Sequence, residues 1–103
     1  MLVSEPPVVE AQRLITSAEA SRLVWRCRRG MLENDLSIER FFRNHAQKIT
    51  VSQARALLAL MELSDNDLLD LHLGRKAVAE VSAPLDTPEV NHIISLLKTK
   101  APA

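Results

Sequence analysis

Apolar residues recur along this chain at the three-and-four spacing of one helix face, and they do so in five separate segments. Ala20, Leu23, Val24 and Cys27 form the first stripe. Ile38, Phe41, Phe42 and His45 form the second, with Leu32 and Leu36 one or two turns earlier. Ala54, Leu57, Leu58 and Met61 follow, then Leu68, Leu69, Leu71 and Leu73, then Val90, Ile93, Ile94 and Leu97. A period near 3.6 places each set on one side of a helix, and no segment alternates as a strand would. Aromatic residues make up 3% of the chain and there are two glycines, a composition that favours helices over strands. The pattern predicts an all-α fold, a compact five-helix single domain with an N-terminal tail.

Local signals place the boundaries. Thr16 and Glu19 have capping-box spacing, so helix one begins there, and Gly30 is its expected stop in the left-handed C′ position. Arg22, Arg26 and Arg29 form a second stripe on that helix, away from the core. Helix two runs from Met31 or Leu32 to His45. Helix three starts after Thr50 or Ser52, and helix four after Ser64 or Asp65, with Gly74 as its stop. Ala77 to Asp86 is a linker. Thr87 followed by Pro88 supplies an N-cap and a first-turn proline for helix five. Residues 1–15, with Pro6 and Pro7, read as a flexible tail; 16–98 form the domain, and 99–103 fray.

At 103 residues the chain has room for one domain. Thirteen basic and 13 acidic residues give zero formal charge, which argues against a nucleic-acid binder. The charge is unevenly spread. Arg22, Arg26, Arg28, Arg29, Arg40 and Arg43 enrich the first half, while Glu62, Asp65, Asp67 and Asp70 make the middle acidic. Opposed charge of this kind orients a protein partner. The single cysteine, Cys27, permits no internal disulfide and fits a reducing compartment. No secretory pattern and no membrane-length apolar run is present, so the expected location is the cytoplasm, without membrane insertion. Nothing in the sequence demands more than a monomer.

Chemistry-bearing motifs are sparse. His45, His72 and His92 are not spaced as metal ligands and read as surface or partly packed helix residues. Cys27 lies on an apolar stripe and reads as a buried small hydrophobe. Asp65, Asp67 and Asp70 lack the glycine and terminal Glu of a calcium loop, and suit a helix N-terminus instead. Trp25 beside the first stripe is either a partly buried wedge or an interface anchor, and partial burial is the expectation. The most informative stretch is Arg28-Arg29-Gly30-Met31-Leu32-Glu33. Read plainly, it is punctuation between two helices. Read functionally, Gly30 allows close backbone approach, and Arg29 and Glu33 stand at an exposed corner ready for charge-assisted contacts.

Residues 25–35, Trp-Arg-Cys-Arg-Arg-Gly-Met-Leu-Glu-Asn-Asp, resemble the signature of the SdhE-type FAD assembly factors of succinate dehydrogenase. The hallmark Arg-Gly-x-x-Glu is met by Arg29, Gly30 and Glu33, followed by Asp35. Downstream, Phe41-Phe42, Leu57-Leu58, Met61-Glu62-Leu63 and the run from Asp65 to Asp70 keep the family's order, over about residues 20–97. Asn34 stands where members usually carry an apolar residue, and Leu71 where a Trp is common. The resemblance implies a compact five-helix binding module and not an enzyme. It implies binding to the flavoprotein subunit of succinate dehydrogenase, and often that of fumarate reductase, and promotion of covalent FAD attachment to a His of that subunit. On this reading FAD belongs to the partner, and this chain binds no cofactor and no metal. Arg29, Gly30 and Glu33 would then meet the partner, with Arg26, Arg28 and Asp35 supporting orientation. The rival readings are an antitoxin-like interaction module and an arginine-mediated nucleic-acid binder.

Overall fold

The computed structural model describes residues 8–45 and 48–98. Its helices are α1 (Val8–Ala11), α2 (Ser17–Arg26), α3 (Leu32–His45), α4 (Val51–Leu60), α5 (Asp65–His72), α6 (Val78–Val81) and α7 (Pro88–Leu97), with a 3₁₀ turn at Ala83–Leu85. Five of these have eight or more residues, and they are the five expected from the apolar stripes. Among the described residues there is no strand, so the all-α expectation stands.

The caps act as the sequence suggests. Thr16 accepts the Glu19 amide while Glu19 accepts the Thr16 amide, and Thr50 and Gln53 repeat this at α4. Ser64 and Thr87 cap α5 and α7. Gly74, at φ +77°, closes α5 with a paired motif: its amide reaches Leu71 O, and the Arg75 amide reaches Asp70 O.

α7 packs against α3, α4 and α5, and its Ile93 and Leu97 are fully buried with Leu57, Leu60, Leu68 and Leu71. The Ser37 hydroxyl and the Arg40 guanidinium donate to Leu97 O, so side chains of α3 satisfy a carbonyl at the end of α7. On α3 the inward face is Asn34, Ser37, Ile38, Phe41 and Phe42, while Leu32 and Leu36, grouped with that face from the sequence, are exposed. Leu73, the end of its stripe, and Val24, within the first stripe, are likewise exposed.

Three segments differ from the sequence reading. The stretch read as a tail is tied down where it is described. α1 is a single helical turn, Leu14 and Thr50 form an antiparallel bridge, the Ile15 amide donates to Ile49 O, and the Val51 amide donates to Arg13 O. Arg13 pairs with Glu10 and Glu19, which raises its own affinity for its proton and holds Glu19 down to about 2. The linker Ala77 to Asp86 contributes α6 and buries Val78; a four-residue helix is too short to give a periodic signal. Finally, α2 ends at Arg26 with Cys27 as its cap, so Gly30 is not its C′ residue and Arg29 is not on its arginine stripe. Residues 1–7 of the expected tail and the expected fraying at 99–103 lie outside the described residues.

Candidate functional site

The corner between α2 and α3 is built from inside outward. Leu23 and Cys27, one turn apart, pin the end of α2 to the core. Burial pushes the Cys27 thiol up to about 11, so it stays protonated and packs as an apolar group. Two residues later the chain has left the helix, and the Arg29 side chain turns back into the molecule.

Arg29 is not the exposed residue expected from the sequence; its side chain is 14% exposed. Its guanidinium donates to Met61 O and Leu63 O, just past the end of α4, and to the carboxylate of Asp65 in the first turn of α5. Carbonyls at a helix end lack intrahelical donors, and a cation suits that end while an anion suits the start of the next helix. One planar fork satisfies both sides of the α4–α5 junction. The Arg29 hydrogen bond, then that from Asn34, holds the Asp65 carboxyl below its usual range.

Asp35 acts on the backbone. Its two carboxylate oxygens accept the amides of Arg29 and Gly30, each at 3.0 Å, and so fix the turn that carries the hallmark. Gly30 sits at φ +92°, a conformation costly for a residue with a Cβ. A Cβ there would meet nothing within 4 Å, so the backbone faces open space. Glu33 is exposed in the first turn of α3 and has no hydrogen bond or ion pair among the described residues. The hallmark therefore divides: Arg29 and Asp35 hold the corner together, while Gly30 and Glu33 face outward.

Beneath the corner runs a polar chain that passes from the partly exposed Asp65 to the buried Asn34 and His72. Asn34, fully buried, donates through Nδ2 to Asp65 O at 3.0 Å and to its carboxylate at 3.1 Å, and its Oδ1 lies 2.8 Å from His72 Nε2. That acceptor requires Nε2 to carry the proton. His72 Nδ1 has no partner, so the neutral ring suits the site, and burial, then the charge of Arg40, lowers the His72 pKa. His72 is 3% exposed, not the surface or partly packed residue expected. The polar Asn34 is thus buried with its hydrogen bonds satisfied.

Outside, Trp25 is 72% exposed, against the expected partial burial, and the Arg28 guanidinium lies 5.3 Å from its ring centroid. Arg22 and Arg26 are exposed and unpaired among the described residues. Sequence reasoning missed His72 and the role of Asp65; both act through contacts to residues more than thirty positions away, which no local spacing reveals. No group of three or more His, Cys, Asp or Glu placed to hold a metal ion occurs among the described residues, and no helix there is long and apolar enough to cross a membrane.

Comparison with known proteins bears on this corner. Residues 21–101 match the family described as flavinator of succinate dehydrogenase. The chain is 49% identical over 78 residues to the FAD assembly factor SdhE of Ralstonia nicotianae, covering 76% of this chain and 79% of that protein. It is 40% identical over 58 residues to SdhE of Legionella pneumophila, covering 56% and 73%. With SdhE of Vibrio vulnificus it shares 36% over 61 residues, covering 59% and 71%. No solved structure matches the chain.

Proposed function

Because this chain belongs to the family of flavinators of succinate dehydrogenase, we propose that it docks on the flavoprotein subunit of that enzyme and promotes covalent attachment of FAD. The observation that carries the docking mode is the outward pair: Gly30 at positive φ facing open space, beside the unpartnered carboxylate of Glu33. An open glycine backbone admits a partner's surface to close range, and a preorganised carboxylate on a helix start can accept from an arginine, a lysine or backbone amides. Arg29 and Asp35 serve docking by holding that pair in place, since a rigid corner loses little entropy on binding.

On this reading the flavin and the histidine that bonds it both belong to the partner. This chain binds no FAD of its own and performs no catalytic step. It favours flavinylation by keeping the partner in the arrangement in which the two reacting groups meet. The factor acts as a monomer in the cytoplasm, and the fumarate reductase flavoprotein is a second client.

The test is covalent flavin fluorescence of the succinate dehydrogenase flavoprotein on a denaturing gel, in cells lacking their own factor. The intact chain restores the band. Glu33→Ala and Gly30→Arg, both folded, leave it at the level of cells given no factor, because one removes the acceptor and the other fills the approach. If both variants restore the band as the intact chain does, the outward pair is not the docking site. If the intact chain binds nucleic acid or a toxin-like protein and restores nothing, the assembly reading fails.

A further inference from the structure

We infer that Trp25, with Arg28 laid across its ring, is the apolar anchor of the docking surface, seated in a carboxylate-rimmed apolar recess of the flavoprotein; the inference rests on the docking reading above. Large apolar residues are exposed at six described positions, and four of them, Val24, Trp25, Leu32 and Leu36, lie on the two segments that meet at Gly30. The fold does not need them outside. On α2 the core is reached by Leu23 and Cys27, and Trp25, two residues from each, points the other way at 72% exposure. A tryptophan can bury 150–250 Å², roughly, and exposed Trp and Arg together are the residue types that dominate protein interfaces.

Charge selects the occupant. Arg22 and Arg26 are unpaired among the described residues, and Arg28 engages only the indole face, so its donors remain available at the edge of the ring. A partner that covers this face must carry carboxylates around an apolar centre. A second copy of this chain does not fit, since two-fold pairing would set the same arginines on both sides of the contact. Nucleic acid does not fit either, since Glu33 stands unneutralised beside the corner and the chain has no net positive charge. The flavoprotein is the occupant because this face runs directly into the Gly30–Glu33 pair, only a few residues along the chain.

The experiment uses the full chain and the purified flavoprotein subunit. Trp25 is the only tryptophan, so 5-fluorotryptophan labelling gives a single fluorine resonance that reports this position alone. The resonance moves or broadens when flavoprotein is added. By calorimetry, Trp25→Ala weakens binding by about tenfold or more, as loss of a hot-spot side chain does, and Trp25→Phe recovers part of it. Its unfolding midpoint stays that of the intact chain, because the side chain is outside the core. Affinity falls with added salt, and less steeply in Arg28→Gln. If Trp25→Ala binds as the intact chain while Glu33→Gln has lost affinity, the anchor is wrong and the docking reading stands. If the intact chain does not bind the flavoprotein at all, both fall. If the fluorine signal responds to the chain's own concentration or to duplex DNA, and not to the flavoprotein, this face belongs to another partner and the inference is overturned.

Discussion

Arg29 and Glu33 belong to one short hallmark, yet their side chains do opposite work. Arg29 reaches three acceptors across the α4–α5 junction, while Glu33 reaches none among the described residues. Arg29→Ala would strand Met61 O and Leu63 O and leave Asp65 without its cation. Where a hydrogen bond to a charged group is worth about 1.5–3 kcal/mol, the unfolding midpoint of this variant should fall by ~5 °C or more in a thermal scan. Arg29→Lys should rescue little, because the three donors of an ammonium radiate from a single nitrogen, whereas the acceptors at Asp65, Met61 O and Leu63 O are met by three separate nitrogens of the fork. Glu33→Ala should leave the midpoint within ~2 °C of the intact chain, as an exposed acid contributes only a few tenths of a kcal/mol at a helix start. A midpoint unchanged in Arg29→Ala would mean that Arg29 does not hold the corner and is free to face the partner.

At the scale of elements, the junctions matter more than the helices between them. α4 begins beside the bridge that ties the segment before α2, so Thr50 has two tasks: it caps α4 and pairs across from Leu14. Thr50→Ala keeps the backbone pairing and loses the side-chain acceptor, and should destabilise by about 1 kcal/mol in a denaturant titration, with an unchanged slope. Thr50→Ser should recover most of it. α6 makes the complementary point. It has four residues and no side-chain cap, yet it buries Val78, and the Ala77 amide is taken by the Glu80 carboxylate. The core recruited a turn that local propensity alone would not have formed.

At the scale of the whole molecule, a polar chain from Arg29 through the partly exposed Asp65 to the buried Asn34 and His72 links the corner to the interior. Its titration should appear in global stability. His72 is neutral in the folded state and its pKa lies below 6.5, whereas in the unfolded chain it returns to about that value. Above pH 6.5 both states are neutral and the contribution is complete. As pH falls below that, the unfolded state takes up the proton first, so stability is lost progressively through the window under 6.5. Unfolding midpoints recorded from about pH 7.5 to 5 should decline with acid, and His72→Gln, which keeps a donor toward Asn34, should flatten that decline. An equal decline in both would assign the acid sensitivity elsewhere. The carboxylates of Asp65 and Glu19, both held low in the fold, contribute in a separate window further into acid.

Much of this was legible from the sequence because it depends on contacts within a turn or two. Helix period placed the five longer helices, and hydroxyl caps, Pro88 and Gly74 set their ends. The hallmark at Arg29, Gly30 and Glu33 marked the turn between α2 and α3. Only the tertiary structure decided what each residue does there. Whether a guanidinium points to solvent or to Asp65, thirty-six positions away, depends on how α4 and α5 meet, and no local spacing encodes that. The same holds for Trp25, left outside because no other element covers its side of α2, and for His72, which lies inside against the buried Asn34. Local periodicity determines which faces are apolar; only the packing of one element on another decides which polar groups those faces enclose and which they leave for a partner.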